Sequence, residues 1–310
     1  MKNPYLKIMR LDHWIKQLFI VPGIIFALFL FKPPFDWVIL LNVIVGFLAT
    51  CFIASANYTI NEWLDAKFDK YHPKKKNRSA VQLNLNSKIV WAQYVILAVI
   101  GLILSWFVSL TIFLMELWLL VMGILYNVKP FRTKDIAYLD VLTESLNNAI
   151  RLLIGWFIVT SNYLPPISIV IGYWFAGAFL MSTKRYSEYR MINNSKVASK
   201  YRKSFSFYSE RSLLLSSFFY AMFSNLFLGI FLIKYKVELI IIMPFLIGLF
   251  CYYFWISYKK DSVVQNPEKL YKEKYLMLWT IFICILFVIL MFINIPILNS
   301  LVDNTLIYIP

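Results

Sequence analysis

The stretch Asn57-Tyr-Thr-Ile-Asn61-Glu62-Trp-Leu-Asp65-Ala-Lys67-Phe-Asp69-Lys70-Tyr71-His72-Pro73-Lys74-Lys75-Lys76-Asn77-Arg78 closes an apolar run that starts near Trp37. Crossing about 30 Å of hydrocarbon takes roughly 20 apolar residues, and the run is long enough. Its polar continuation keeps helical spacing. Glu62, Asp65 and Asp69 stand at i, i+3, i+7, and Asn57, Asn61, Asp65 and Asp69 follow one another in steps of four, so their oxygens share a face. Carboxylates about 5–6 Å apart repel by roughly 3 kcal/mol at an effective dielectric near 20, and a divalent cation reverses that sign. A few hard oxygen ligands, with room for water and substrate phosphates, suit Mg²⁺ better than an enclosed Ca²⁺ cage. Asn61, Glu62, Asp65 and Asp69 are therefore expected as metal ligands. Lys74, Lys75, Lys76 and Arg78, immediately downstream, are placed to take the phosphate oxygens a metal leaves uncovered, which makes the whole stretch a diphosphate clamp. A solvated helix end followed by an ordinary basic loop is the plainer reading, and the carboxylate spacing weighs against it. His72 precedes Pro73 and shapes the helix exit, with no second histidine nearby to share a metal.

Outward from this stretch, the composition agrees. The chain has 310 residues, 60% of them in AVILMFWYC and 15% charged, with a mean hydropathy of +0.67. Globular domains run nearer 45–50% apolar and about 25% charged, so a disordered chain, a disulfide scaffold and an ordinary cytosolic enzyme are excluded. Nine runs of spanning length fall near 14–31, 37–60, 89–109, 111–127, 139–161, 165–183, 212–233, 237–257 and 275–297. The expected fold is an all-α polytopic membrane bundle of nine transmembrane helices. It forms one domain over residues 1–310, with no internal repeat and no loop large enough for a soluble domain. Cys51, Cys251 and Cys284 sit in apolar runs and read as small hydrophobes.

The basic residues set the orientation. Lys2, Lys7, Arg10, Lys16 and the clusters at 67–88, 129–134, 184–211 and 259–274 fall on one side, against Lys32, Lys234 and Lys236 on the other. By the positive-inside rule the amino terminus is cytoplasmic and the carboxyl terminus outside. Topology thus accounts for most of the formal charge of +15 and makes nucleic acid a poor partner. The first apolar run starts late and has no small-residue cleavage site, so it is expected to be an anchor, not a signal peptide.

Ionisable groups in or beside spans are costly, about 2.5–3.5 kcal/mol each at mid-membrane, and they carry the functional information. A second cluster, Tyr126-Asn-Val-Lys129-Pro-Phe-Arg132-Thr-Lys134-Asp135-Ile-Ala-Tyr138-Leu-Asp140, runs into a span holding Glu144, Asn147, Asn148 and Arg151. Asp140, Glu144, Asn147 and Arg151 form a stripe expected to face a cavity, or alternatively a buried ion pair on Arg151. A third, Lys184-Arg185-Tyr186-Ser187-Glu188-Tyr189-Arg190 followed by Lys200-Tyr201-Arg202-Lys203, suggests anion binding. A Lys184–Glu188 surface pair and simple topology are its competitors. Lys7, Arg10, His13, Trp14 and Lys16 read as an interfacial amphipathic anchor.

Asn61-Glu-Trp-Leu-Asp65-Ala-Lys-Phe-Asp69 resembles the NDxxDxxxD motif of the UbiA superfamily of intramembrane prenyltransferases, with Glu62 in place of the second Asp. Tyr126 to Asp140 looks like that family's Tyr-Lys-Asp segment. The resemblance implies a helical bundle around a central cavity open to lipid, in which Mg²⁺ holds a diphosphate donor and a polyprenyl lipid is the partner. A bacterial-type inner membrane is the expected location. Members that alkylate aromatic rings carry a second Asp-rich motif after the sixth span; here that place reads Thr183-Lys184-Arg185-Tyr186-Ser187-Glu188. This run, with His72-Pro73, Lys75, Arg78 and Arg202-Lys203-Ser204, is similar to the decaprenyl-phosphate phosphoribosyltransferase branch. That branch moves phosphoribose from phosphoribosyl diphosphate to a polyprenyl phosphate. A donor with an added phosphate and an acceptor that is itself a phosphate call for more cationic ligands, not more carboxylates.

By that resemblance Asp65, Asp69 and Asp140 are the catalytic group, and Asn61, Glu62, Asp65 and Asp69 the metal ligands. Asn61, Lys75, Arg78, Tyr126, Lys134, Lys184, Arg185 and Glu188 bind substrate. Two other readings stay open: prenyl transfer from a prenyl diphosphate to an aromatic or lipid acceptor, and a transporter whose path is marked by Asp140, Glu144 and Arg151. Nothing in the pattern specifies an oligomeric state.

Overall fold

Four of the long helices begin where a short polar side chain accepts from one of their first free N–H groups. The computed structural model describes residues 3–34, 36–259 and 262–302; Lys2, Lys260 and the carboxyl terminus, used above for orientation, lie outside them. A short helix, Pro4–Ile8, and a 3-10 segment, Leu11–Ile20, lead into α1, Val21–Phe31. Asp36 caps α2, Trp37–Asp69, by accepting from the Val38 N–H. Asn86 caps α3, Ser87–Val108, and Ser109 both ends α3 and caps α4, Leu110–Asn127. Then come α5, Leu139–Val159, and α6, Ile167–Ile192, which ends on a left-handed Asn193. A reciprocal Ser209–Ser212 box opens α7, Glu210–Tyr235. After the 3-10 turn Val237–Ile242 come α8, Met243–Ser257, and α9, Lys274–Phe292.

Two expected boundaries move by about nine residues, both on the side expected to be cytoplasmic. α2 and α6 run on past their apolar stretches, to Asp69 and Ile192, so the acidic stripe and the Lys184–Arg190 cluster ride on rigid helices. α9 stops at Phe292 because Ile295 precedes Pro296 and is pushed out of helical geometry. On the opposite face Lys236 Nζ donates to the Ile293 carbonyl at 2.8 Å, and a Glu238 carboxylate oxygen accepts the Ile295 N–H at 3.0 Å.

Eight helical segments among the described residues are long and apolar enough to cross a membrane. The expected ninth crossing forms a helix, α5, but is not among them, because its Asp, Glu, Asn and Arg stripe lowers its hydropathy. α5 is instead an inner helix, packed against the first segment, α4 and α6, with more than half its residues buried. Close backbone approach places it there: a Cβ on Gly155 would stand 2.0 Å from the Ile20 carbonyl oxygen, and one on Gly23 2.0 Å from that of Leu152. A multi-pass integral membrane protein results, whose polar residues are gathered inside.

Candidate active site

The inner ends of α2, α4, α5 and α6, with the first segment and the 262–272 loop, enclose one cavity of about 830 Å³. Asn61, Glu62, Asp65 and Asp69 line it together, as their spacing requires. Each carboxylate is held by its own cation. Arg10 Nε donates to Glu62 at 2.8 Å, and Arg78 Nη1 to Asp69 at 2.5 Å. Asp65 receives Arg132 Nη2 at 2.9 Å and lies 2.5 Å from Lys134 Nζ. Asn127 braces the opposite side, accepting from Lys134 at 2.7 Å and from Asn61 Nδ2 at 2.5 Å. Among the described residues no three Asp, Glu, His or Cys side chains converge closely enough to cage a metal ion by themselves; a cation stands against each carboxylate of the stripe. Separation by interleaved cations is the physical reason.

Arg10 and Arg132 occupy left-handed backbone, at φ 52° and 32°, unusual for side chains larger than glycine. In both cases the strained residue is the one whose guanidinium reaches the acid stripe, which fits strain held at a functional site. The first segment is thus more than an anchor. Arg10, His13 and Lys16 line the cavity, and Trp14 Nε1 donates to Ser55 Oγ at 2.9 Å, so a face expected to rest on lipid forms a wall.

Facing the acids is a cationic wall. Lys75 Nζ lies 2.7 Å from Glu188 and also donates to the Tyr201 hydroxyl. Arg185 donates to the Tyr126 hydroxyl at 3.1 Å, with Asp140 at 3.3 Å and Glu188 at 3.4 Å. Arg202 Nη1 reaches Tyr126 at 3.3 Å, and its buried Nε has no hydrogen-bond partner among the described residues. Lys184 lines the cavity as well, but Glu188 pairs with Lys75 and Arg185, and among the described residues the competing Lys184–Glu188 surface pair is not formed.

Asp140 and Glu188 do not line the cavity. Both are fully buried behind the cationic wall. Asp140 accepts from Tyr208 at 2.7 Å, Ser204 at 3.1 Å and Arg185 at 3.3 Å, so in this structure it braces the arginine wall from behind. Glu144, Asn147 and Arg151 of the same stripe do face the cavity, but Arg151 bonds to amides and not to a carboxylate.

The loops between helices carry shifted groups. Burial and the adjacent Lys75 charge push His72 down to about 3, so it is a neutral acceptor for the Lys74 and Lys75 N–H groups, each 3.1 Å from Nδ1. Burial likewise brings Lys134 down to about 8, with Asp65 acting in the other direction. Burial disfavours the Arg202 charge, but Tyr126, Tyr201, Asp140 and Glu188 outweigh it and hold the group well above the ordinary arginine value.

Several participants were given no role from sequence: Arg132, Asn127 and Tyr201 at the cavity, and Gln17 and Glu116 behind it. Glu116, fully buried on α4 and bonded by the Thr50 hydroxyl, carried the plainest signal, a lone acid within an apolar run. Arg132 and Asn127 gave none beyond belonging to a polar loop.

Residues 19–277 match the model of the UbiA prenyltransferase family. The chain belongs to that family. This UbiA-family protein is 25% identical over 209 residues to a decaprenyl-phosphate phosphoribosyltransferase of Mycolicibacterium smegmatis, the match covering 67% of this chain and 63% of that protein, less than two thirds of its length. Its fold is similar to a UbiA homolog from Archaeoglobus fulgidus solved with GPP and Mg²⁺, with a TM-score of 0.70, 19% identity and coverage of 93% and 99% of the two chains. It is also similar to the structure of a digeranylgeranylglyceryl phosphate synthase, with a TM-score of 0.58, 16% identity and coverage of 93% and 95%. The family whose model it matches is one of prenyltransferases, which weighs against the transport reading.

Proposed function

We propose that this UbiA-family transferase moves phosphoribose from phosphoribosyl diphosphate to a polyprenyl phosphate, with its cavity open to the cytoplasmic side, the amino terminus inside and the carboxyl terminus outside. The observation that carries the reading is the wall of Lys75, Lys184, Arg185 and Arg202 opposite the acid stripe, where a second acidic motif would otherwise stand. Two substrates that bring four phosphoryl groups, two in the donor's diphosphate, one in its 5-phosphate and one on the acceptor, need that surplus of cations. The likeness to the mycobacterial phosphoribosyltransferase supports the same choice.

Magnesium fits the stripe. Asp65, Asp69 and Asn61 present hard oxygens to one cavity from one helix face, and two carboxylates plus substrate phosphate oxygens are a usual Mg²⁺ set. The Mg²⁺ in the archaeal homologue's structure supports this reading. Bound there by Asp65 and Asp69, it would neutralise charge on the departing diphosphate. Arg78, Arg132 and Lys134, now on those carboxylates, would turn to the same diphosphate oxygens. Lys184 and Arg202 take the 5-phosphate, and Tyr126, fixed by Arg185 and Arg202, borders the ribose. As diphosphate leaves, positive charge develops at the anomeric carbon, and a phosphate oxygen of the acceptor attacks it from the opposite face. That oxygen is already anionic, so positioning and leaving-group stabilisation suffice without a general base.

Prenyl transfer to an aromatic or lipid acceptor is the second reading, favoured by the prenyl ligand in the archaeal homologue's structure. Purified protein incubated with labelled phosphoribosyl diphosphate, polyprenyl phosphate and Mg²⁺ should yield a lipid-extractable label. Product solely from prenyl diphosphate plus an aromatic acid would overturn the assignment.

A further inference from the structure

Deeper than the acid stripe, the cavity meets Arg151. It lies eleven residues beyond Asp140 on α5, about 16 Å along the helix at 1.5 Å per residue, which brings it near the middle of a hydrocarbon layer about 30 Å thick. Arg151 is 9% exposed and lines the cavity. Its Nε donates to Gln17 Oε1 at 2.7 Å and its Nη1 to Asn148 Oδ1 at 3.3 Å, and among the described residues it makes no ion pair. Two neutral amides leave a buried cation uncompensated, in a chain that gives every other cavity arginine a carboxylate partner. Gln17 is fully buried and its Nε2 has no hydrogen-bond partner among the described residues, adding a donor to the same corner. The ionisable groups around Arg151 are Glu144, two turns back on the same face of α5, and, from neighbouring elements, Glu116 on α4, Cys51 on α2 and Tyr173 on α6; among the described residues none of them forms an ion pair with it.

We propose that Arg151, positioned by Gln17 and Asn148, is a second oxyanion site, which takes the anionic head group of the acceptor as it enters from the bilayer. A hydrophobic carrier with one charged end arrives through the membrane, and a cation at mid-depth inside the cavity is the group it would meet before reaching the donor held at the acid stripe. The planar guanidinium suits phosphate and carboxylate alike through paired N–H donors. This rests on the transferase reading above, but concerns the acceptor alone.

The test uses full-length protein in nanodiscs and equilibrium binding of farnesyl phosphate, farnesoic acid and farnesol, with Mg²⁺-phosphoribosyl diphosphate titrated separately. Wild type should prefer one anion over the alcohol by at least tenfold. Arg151→Gln should lose that preference with donor affinity within twofold of wild type, and Arg151→Lys should retain part of it. Loss of preference for farnesyl phosphate identifies a phosphate acceptor; loss for farnesoic acid identifies a carboxylate acceptor, which keeps this site and counts against the phosphoribosyl reading. Wild type that binds all three alike, or Arg151→Gln that keeps its anion preference, overturns the proposal. Absence of donor binding in wild type would instead sink the phosphoribosyl reading and leave the acceptor site intact.

Discussion

Asp65 shows how much a single side chain carries at this site. It balances Arg132 and Lys134, both nearly buried, so replacing it with Asn leaves two cations without their anion. Breaking a buried pair from one side costs about 3–5 kcal/mol. Asp65→Asn should therefore lose turnover and melt lower in detergent, as followed by tryptophan fluorescence. Adding Lys134→Met removes the stranded charge, so the double variant should regain melting temperature without regaining turnover. Wild-type turnover in Asp65→Asn would disprove the role given to the stripe. His72 makes a separate prediction in acid. Its folded pKa of about 3 lies below the unbound 6.5, so the unfolded chain takes up a proton that the folded chain refuses. The contribution of neutral His72 is fully present above pH 6.5 and is lost as pH falls from there toward about 3. Asn can accept the same two N–H groups without titrating. His72→Asn should therefore flatten the fall in melting temperature between about pH 6.5 and pH 5, and an unchanged slope would place the acid sensitivity elsewhere.

At the scale of helices, what was legible in sequence was periodicity. The steps of four from Asn57 to Asp69 did place four oxygen-bearing side chains around one cavity, because helix geometry is local and needs no knowledge of the partner. What was not legible was which cation each acid meets. Arg10 is 52 residues from Glu62 and Arg132 is 67 from Asp65, and such pairings come from packing. The same limit hid the role of the first segment, whose amphipathic pattern is shared by a lipid-facing anchor and a cavity wall. Its seat is set by Gly155, where the Ile20 backbone approaches α5 too closely for any side chain. Gly155→Ala should displace the Leu11–Ile20 segment and cost about 1–3 kcal/mol as overpacking. Melting temperature should drop, and because Arg10 and Gln17 ride on the displaced segment, turnover should fall with it. A variant that melts normally with full turnover would show that the approach has slack.

For the whole molecule, the composition was enough to name the solvent, since a chain with 60% apolar residues has too little polar surface to live in water. It was not enough to number the crossings. α5 carries the cavity's polar stripe, and a helix lined on one face with Asp, Glu, Asn and Arg cannot also look like a lipid-exposed span. Its functional face is what removes it from a count based on hydropathy. The charges still argue that it crosses. Lys129, Arg132 and Lys134 precede it, whereas Ser161 to Pro166 after it hold no charged residue. Phe131 and Ser161 are both exposed and lie on either side of the helix, which makes them the reporters. In a background with Cys51, Cys251 and Cys284 replaced by Ser, an impermeant maleimide should label Ser161→Cys on intact cells and Phe131→Cys only after permeabilisation. Labelling of both from one side would mean that α5 turns back within the bundle, and the two termini would then lie on the same face of the membrane.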